Sequence, residues 1–333
     1  MTRTPLRVSL FGGGTDYPEY FHRRPGAVIG FAINQYIHIA ALRLNPFLSY
    51  NYRVAYSKLE NCARIEEIQH PVVREVLRYL EVKDPLDISV MSDLPASGSG
   101  LGSSSAFTVG FLRLAYSIIN RPVTKIDLAR SAIHVERHLL KENVGVQDQL
   151  HTSFGGVNKF DFDGDRIRVT PLQLSSQTFS TLRQSMALVH TGIGRRATDA
   201  AAAQVKEIKR QTLDSDFENL LQHVAECVSI LESQRADFLK DIGRMLNESW
   251  RIKRRFSTSI SNESIDRIFE AIIASGAYGA KLCGAGGGGF FIALISPERR
   301  KNLEAAVAPL SVIPIDIDVD GTSLIYPAQS LSY

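Results

Sequence analysis

Near the start of the chain, Leu6, Val8 and Leu10 alternate with Arg7 and Ser9, a period of two that predicts a strand ending at Gly12–Gly14. "GAVIGFAINQYIHIAALRL" continues as a longer β-rich region, and Leu86, Ile88 and Val90 alternate in a strand that stops at Pro95. The period then changes. Phe107, Phe111, Leu114 and Ile118 fall on one helical face, and Leu128, Ala132, Val135 and Leu139 repeat that spacing in a second helix. Thr124 with Asp127 resembles a capping box and marks where the second helix starts. Helical patterns recur in "FENLLQHVAECVSILES", "RMLNESWRIKRRFS" and "IDRIFEAIIASGAYGAK", and the chain is expected to end in strands at "GGFFIALI" and "PIDIDVD". Both halves mix strands and helices, so the expected class is α+β (α/β in two layers), divided as 1–170 and 171–333.

Composition narrows the function. Apolar residues make up 44% and charged residues 22% of the 333 residues, as in ordinary globular proteins. A net charge of +3 gives no electrostatic reason to expect nucleic acid or a membrane surface as partner. Cys62, Cys227 and Cys283 lie far apart with no CxxC spacing, which argues against a disulfide framework and a zinc knuckle. No apolar run approaches a membrane span, and Gly12–Asp16 interrupts any leader-like stretch, so a cytoplasmic location is expected.

The stretch "PASGSGLGSSSAFTVG", Pro95–Gly110, opens with three glycines and five serines before the apolar run of a helix. A linker does not fit between a strand running in and an amphipathic helix running out. A Walker loop needs a Gly-Lys pair where Ser103 and Ser104 stand. A Rossmann turn needs glycine at Ser103. The remaining reading is a lysine-free phosphate cradle, in which Gly98, Gly100 and Gly102 bring backbone amides close to a ligand at a helix start. The cradle comprises Pro95, Ser97, Gly98, Ser99, Gly100, Leu101, Gly102, Ser103, Ser104 and Ser105. "CGAGGGGFF" formally matches G-x-G-x-x-G at Gly284, Gly286 and Gly289, but helix and strand flank it in the wrong order for a dinucleotide site.

Together, "PLRVSLFGGGTDYPEY", "LPASGSGLGSSSAFTVG" and "GAKLCGAGGGGFF" resemble, in order and spacing, the three motifs of the GHMP kinases. The resemblance implies an N-terminal domain like the second domain of ribosomal protein S5, a ferredoxin-like C-terminal domain, and ATP with its substrate in the cleft between them. "AYSKLE", "QHPVVREVL", "HTGIGRRATD" and "NESWRIKRRFS" resemble one branch, the D-glycero-D-manno-heptose 7-phosphate kinases. That branch implies the sugar 1,7-bisphosphate as product, made for GDP-heptose and bacterial surface glycans. Small molecules are then the partners, with a homodimer as the oligomer to test for.

By the resemblance, Glu136 and a cradle serine hold Mg²⁺, with Ser104 favoured and Ser103 and Ser105 still open. The plain alternative for Glu136 is a surface glutamate beside a basic neighbour. Asp148, in "NVGVQDQLHTSFGG", matches the catalytic aspartate of galactokinase-like members and is the expected base. Arg7 would keep Asp148 ionised or stabilise the transferring phosphoryl group. Gly12, Gly13, Gly14, Thr15 and Asp16 form the expected sugar motif, with Gly13–Gly14 where galactokinases carry Glu-His, which makes the pocket roomier. Gly286 and Gly287 are expected to face the substrate. Arg195–Arg196 and the run Lys253–Arg254–Arg255 are the candidate cations for a distal phosphate.

Overall fold

The computed structural model describes residues 1–95, 98–194 and 197–325. The first half runs through β1 (Thr2–Phe11), a short helix α1 (Pro18–Phe21), the long strand β2 (Gly26–Arg43), β3 (Tyr52–Ala55) and β4 (Leu59–Cys62). It continues through α2 (Pro71–Tyr79), β5 (Leu86–Ser92), α3 (Ser103–Ile118), α4 (Lys125–His134), α5 (Gln147–Phe154), β6 (Val157–Asp163) and β7 (Arg166–Pro171). β2 is long enough to serve two neighbours on one side: Gly26–Phe31 pairs with β6, and Ile37–Arg43 with β5. β1 runs antiparallel along its other side, and its register shifts between Ser9 and Phe11, which bends the strand just before the Gly12–Gly14 loop.

The second half contains α6 (Ser176–Gln184), β8 (Met186–His190), α7 (Ala197–Arg210), α8 (Asp214–Glu232), α9 (Phe238–Arg254), α10 (Glu263–Ala274), β9 (Gly279–Leu282), β10 (Phe290–Leu294), α11 (Arg300–Val307) and β11 (Val312–Pro314). Its antiparallel sheet has the order β11-β8-β10-β9, the ferredoxin-like arrangement. The chain then returns to the first sheet, where β12 (Ser323–Leu324) pairs with Thr2 and Arg3. The expected strand at "PIDIDVD" does not form. Ile317 makes one isolated bridge to Ile33, and the Asp318 carboxylate accepts the N–H groups of Asp320 and Gly321, closing a turn in place of a ladder.

α3 is more buried than a one-faced helix. Phe107, Phe111, Leu114 and Ile118 are buried as the periodicity requires, but so are Val109, Leu112, Ala115 and Tyr116. The helix packs against β1, β2, α2, α4 and α5. The next helix keeps its Thr124 cap, whose side chain accepts the Asp127 N–H, but its α-helical part ends at His134. Beyond it the backbone widens: Leu140 N–H reaches the Val135 carbonyl, five residues back, at 2.9 Å. One apolar cluster runs through Leu6 and Phe31 of the first sheet, Val224 and Met245 of α8 and α9, and Phe290 and Ile292 of the second sheet.

Candidate active site

A cleft of about 1310 Å³ opens between the two sheets. Its floor is the start of α3. Gly102, the residue before the helix, has φ of +76° and, as a glycine, brings no side chain to cap the helix end. The first-turn amides of Ser103, Ser104 and Ser105 have no partner within the helix, and an anion placed there meets both N–H groups and the positive dipole end. Gly98, Ser99, Gly100, Gly102 and the three serines line the cleft. Two members of the expected cradle do not: Pro95 is exposed outside the cleft wall, and Leu101 is fully buried, its carbonyl accepting the Arg7 N–H at 2.9 Å. Ser97, Arg195 and Arg196 lie outside the described residues.

Arg7 on β1 meets Asp148 in the first turn of α5. Nε and Nη2 each donate to one carboxylate oxygen at 2.8 Å, and Nη1 donates to the Gly100 carbonyl at 2.6 Å. Burial opposes the arginine charge, and Asp148 outweighs it, so the guanidinium stays charged. A Cβ on Gly102 would come within 3.2 Å of the Asp148 carboxylate, so glycine is what lets the phosphate loop lie against this pair.

Glu136 stands in the widened turn after α4 and is fully buried. Its Oε2 accepts from Ser105 Oγ at 2.9 Å and from Gln149 Nε2 at 2.5 Å, while Oε1 has no well-formed hydrogen bond among the described residues, the Thr108 hydroxyl being near enough to favour the charged form. Burial pushes its carboxyl up to about 7. The serine bonded to Glu136 is therefore Ser105, and not the favoured Ser104, whose side chain is exposed at the cleft. Successive helix residues point about 100° apart, so only one of the three serines can face Glu136 directly. No cluster of three metal-ligating His, Cys, Asp or Glu residues exists among the described residues. An orphaned buried carboxylate oxygen beside hydroxyls and a phosphate cradle nonetheless fits Mg²⁺, which is commonly held by one or two carboxylates plus substrate phosphates.

At the far end, Asp16 accepts the Gly14 N–H at 2.8 Å, and burial pushes its carboxyl up. Gly12, Gly13, Gly14 and Asp16 line the cleft, but Thr15 does not: its hydroxyl donates inward to the Gly12 and Ala27 carbonyls. Gly286 and Gly287 also turn away, the first packing on Ile260 and the second donating its N–H to the Ile260 carbonyl; Gly284 and Ala285 line the cleft in their place. Ser9 Oγ and Gln147 Oε1, both buried and without a partner among the described residues, lie in the cleft wall beside Gly13. Neither carries a sequence signal, because a lone serine in a strand or glutamine before a motif is ordinary.

The basic run at the end of α9 splits. Arg254 pairs with Asp266 at 2.6 Å and Arg255 with Asp216 at 2.5 Å, both on the surface. Lys253 alone enters the cleft, its Nζ donating to the Gly284 carbonyl. Lys281, which sequence reasoning passed over, joins it from β9 and donates to the Ser9 and Leu10 carbonyls at 2.8 and 2.5 Å. Burial lowers the two ammonium groups to about 8 and about 7 respectively. At the opposite end of the cleft, His70 stacks on Phe107 at 4.6 Å with Tyr56 edge-on to it at 4.8 Å.

A glycine-entered helix start, an Arg–Asp pair against it and a second antiparallel lobe over the cleft form an anion site with a positioned carboxylate, the parts that phosphoryl transfer needs. Residues 65–156 match the model for the GHMP kinases N terminal domain and residues 231–309 that for GHMP kinases C terminal. The chain is 31% identical over 324 residues to the D-glycero-alpha-D-manno-heptose 7-phosphate kinase of Campylobacter jejuni subsp. jejuni serotype O:2, covering 92% of each. It is 25% identical to a galactokinase of Pyrococcus furiosus, over 92% of this chain and 91% of that one. Its fold matches the crystal structure of a D-glycero-D-manno-heptose 1-phosphate kinase from Bacteriodes thetaiotaomicron with a TM-score of 0.78, at 23% identity and over 98% of this chain and 99% of that one. The chain belongs to the GHMP kinase family. Within that family it is an ATP-dependent sugar kinase.

Proposed function

We propose that this enzyme is a cytoplasmic sugar-1-kinase that converts D-glycero-D-manno-heptose 7-phosphate to the 1,7-bisphosphate, for GDP-heptose and bacterial surface glycan synthesis. The carrying observation is the Arg7–Asp148 pair, set against the uncapped start of α3 and in one cleft with Asp16. The similarity to the Campylobacter enzyme supports the choice of sugar. The half comprising 1–170 supplies the phosphate loop and sugar motif, and 171–333 closes over them. In this reading the purine occupies the aromatic end at Tyr56, His70 and Phe107, and the triphosphate lies on the amides of Ser103–Ser105. Asp16, Ser9 and Gln147 hold sugar hydroxyls.

The anomeric oxygen attacks the γ-phosphorus, the bond to the β-phosphate oxygen breaks, ADP leaves and the hydroxyl proton passes to Asp148. Phosphoryl transfer is mostly positioning and charge stabilisation, so Asp148 orients the hydroxyl and accepts its proton late. Arg7 holds that carboxylate by both oxygens. Glu136 would hold Mg²⁺ with Ser104 or Ser105, and the ion would supply neutralisation of phosphate charge.

A coupled ADP-release assay over heptose 7-phosphate, fucose, galactose and mannose tests the reading. Turnover is expected to be fastest with heptose 7-phosphate, and Asp148→Asn should lower kcat by roughly 10²- to 10⁴-fold. No turnover of the heptose phosphate removes the substrate assignment. Wild-type turnover by Asp148→Asn removes the role of Asp148.

A further inference from the structure

Lys253 and Lys281 enter the cleft from the second lobe, and neither makes an ion pair among the described residues. Lys253 holds the Gly284 carbonyl, and Gly284 packs on Gly100: a Cβ on Gly284 would fall 2.5 Å from the Gly100 Cα. Arg7 Nη1 approaches the same loop through the Gly100 carbonyl, so the cations converge where the two glycine loops meet. Lys281 is 7% exposed and bonds only to main-chain carbonyls among the described contacts. Carbonyls satisfy the hydrogen bonds of an ammonium group but do not neutralise its charge, and burying unmatched charge is costly.

Among the described residues, the charged and titratable groups facing the pair are Arg7, Asp16, Asp148, Cys283 and, near Lys281, His223. Asp148 is committed to Arg7 by both oxygens. Asp16 is itself held by backbone amides. Cys283 is a buried thiol whose pKa burial raises, so it stays neutral. Two cations therefore share one carboxylate, Asp16, that no described arginine or lysine pairs, and burial still lowers the pKa of both.

We propose that Lys253 and Lys281 form a phosphate subsite that a substrate phosphate group completes. The phosphate oxygens take over the hydrogen bond that Lys253 gives to Gly284. The inference rests on the kinase reading above. Two substrate phosphates share this chemistry: the transferring group of ATP and a phosphate carried by the sugar.

The binding arm uses calorimetry on the wild-type enzyme with inorganic sulfate, which does not titrate near neutrality, at pH 8 in two buffers of different ionisation enthalpy. An anion raises the pKa of both lysines, so binding is expected to take up protons. Lys253→Gln and Lys281→Gln should abolish most of that uptake and weaken binding roughly 10- to 100-fold, while Lys253→Arg should keep the binding but lose its share of the uptake, because a guanidinium is already protonated at pH 8. Circular dichroism melts establish that each variant folds. Lys253→Gln leaves the contacts of Lys281 to β1 intact, so the test survives if Lys281→Gln does not fold. The kinetic arm compares heptose 7-phosphate with an unphosphorylated sugar. A KM rise confined to the phosphorylated sugar identifies its phosphate as the occupant. An equal fall in kcat with both identifies the transferring group of ATP. Sulfate binding without proton uptake, together with kinetics unmoved by Lys253→Gln, overturns the proposal. The calorimetric arm needs no turnover, so failure of the sugar assignment and failure of the subsite are read separately.

Discussion

Glu136, fully buried, carries one carboxylate oxygen with two donors and one with no well-formed hydrogen bond among the described residues. Its carboxyl titrates near 7 in the folded chain against 4.5 ordinarily. Between those values the folded state binds the extra proton, so this residue's contribution to stability is present below 4.5 and is lost as pH rises through about 7. Glu136→Gln should flatten that part of a Tm-against-pH curve. If Mg²⁺ binds here it must displace the proton, so the Mg²⁺ concentration needed for half-maximal rate should rise by about tenfold per pH unit below 7. An Mg²⁺ requirement independent of pH would remove Glu136 as ligand. The partnership of Arg7 with Asp148 was legible in the sequence because each belongs to a motif. Lys281 was not: one lysine among small apolar residues carries no periodic signal. Gly286 and Gly287 misled for a related reason, since a glycine run looks the same whether it faces a ligand or packs on Ile260.

The two glycine loops behave as one element built from distant parts of the chain. Gly100 and Gly284, with φ of +73° and +69°, meet backbone to backbone, and a Cβ on Gly289 would fall 2.5 Å from the Ser99 carbonyl oxygen. Gly284→Ala combines an unfavourable φ with a backbone collision and should cost about 1–3 kcal/mol, together with a raised KM for ATP as the phosphate loop is displaced. Thr124→Ala, which removes an exposed cap, should cost about 1 kcal/mol with the KM unchanged. Thermal melts and initial rates on both variants distinguish loop displacement from loss of stability alone. Strand and helix identities were readable here because periods of two and 3.6 survive in single segments. The widened turn after α4 was not, because "IHVERHLL" satisfies an unbroken helix equally well and only the demand to bury Glu136 reveals the change.

At the scale of the whole molecule, the two sheets share one apolar cluster, and the tail after β11 crosses back to the first sheet. Trp250, the single tryptophan, is buried in the second lobe and reports on that lobe. Its fluorescence and the far-UV circular dichroism of the whole chain should therefore melt together; separate transitions would show that the shared cluster does not couple the lobes. Asp318→Ala, which removes the acceptor for Tyr36, Asp320 and Gly321, should lower both signals' midpoints alike. This return crossing was invisible to pattern reading, since Thr2 pairs with Leu324 and no local period links positions so far apart. The uncapped start of α3 has a consequence for measurement. The amides of Ser103–Ser105 lack helical partners, so they should exchange with deuterium quickly in the free enzyme. A bound triphosphate supplies the missing acceptors, and the lifetime of those three protons then becomes a direct gauge of nucleotide occupancy, readable without any assay of sugar.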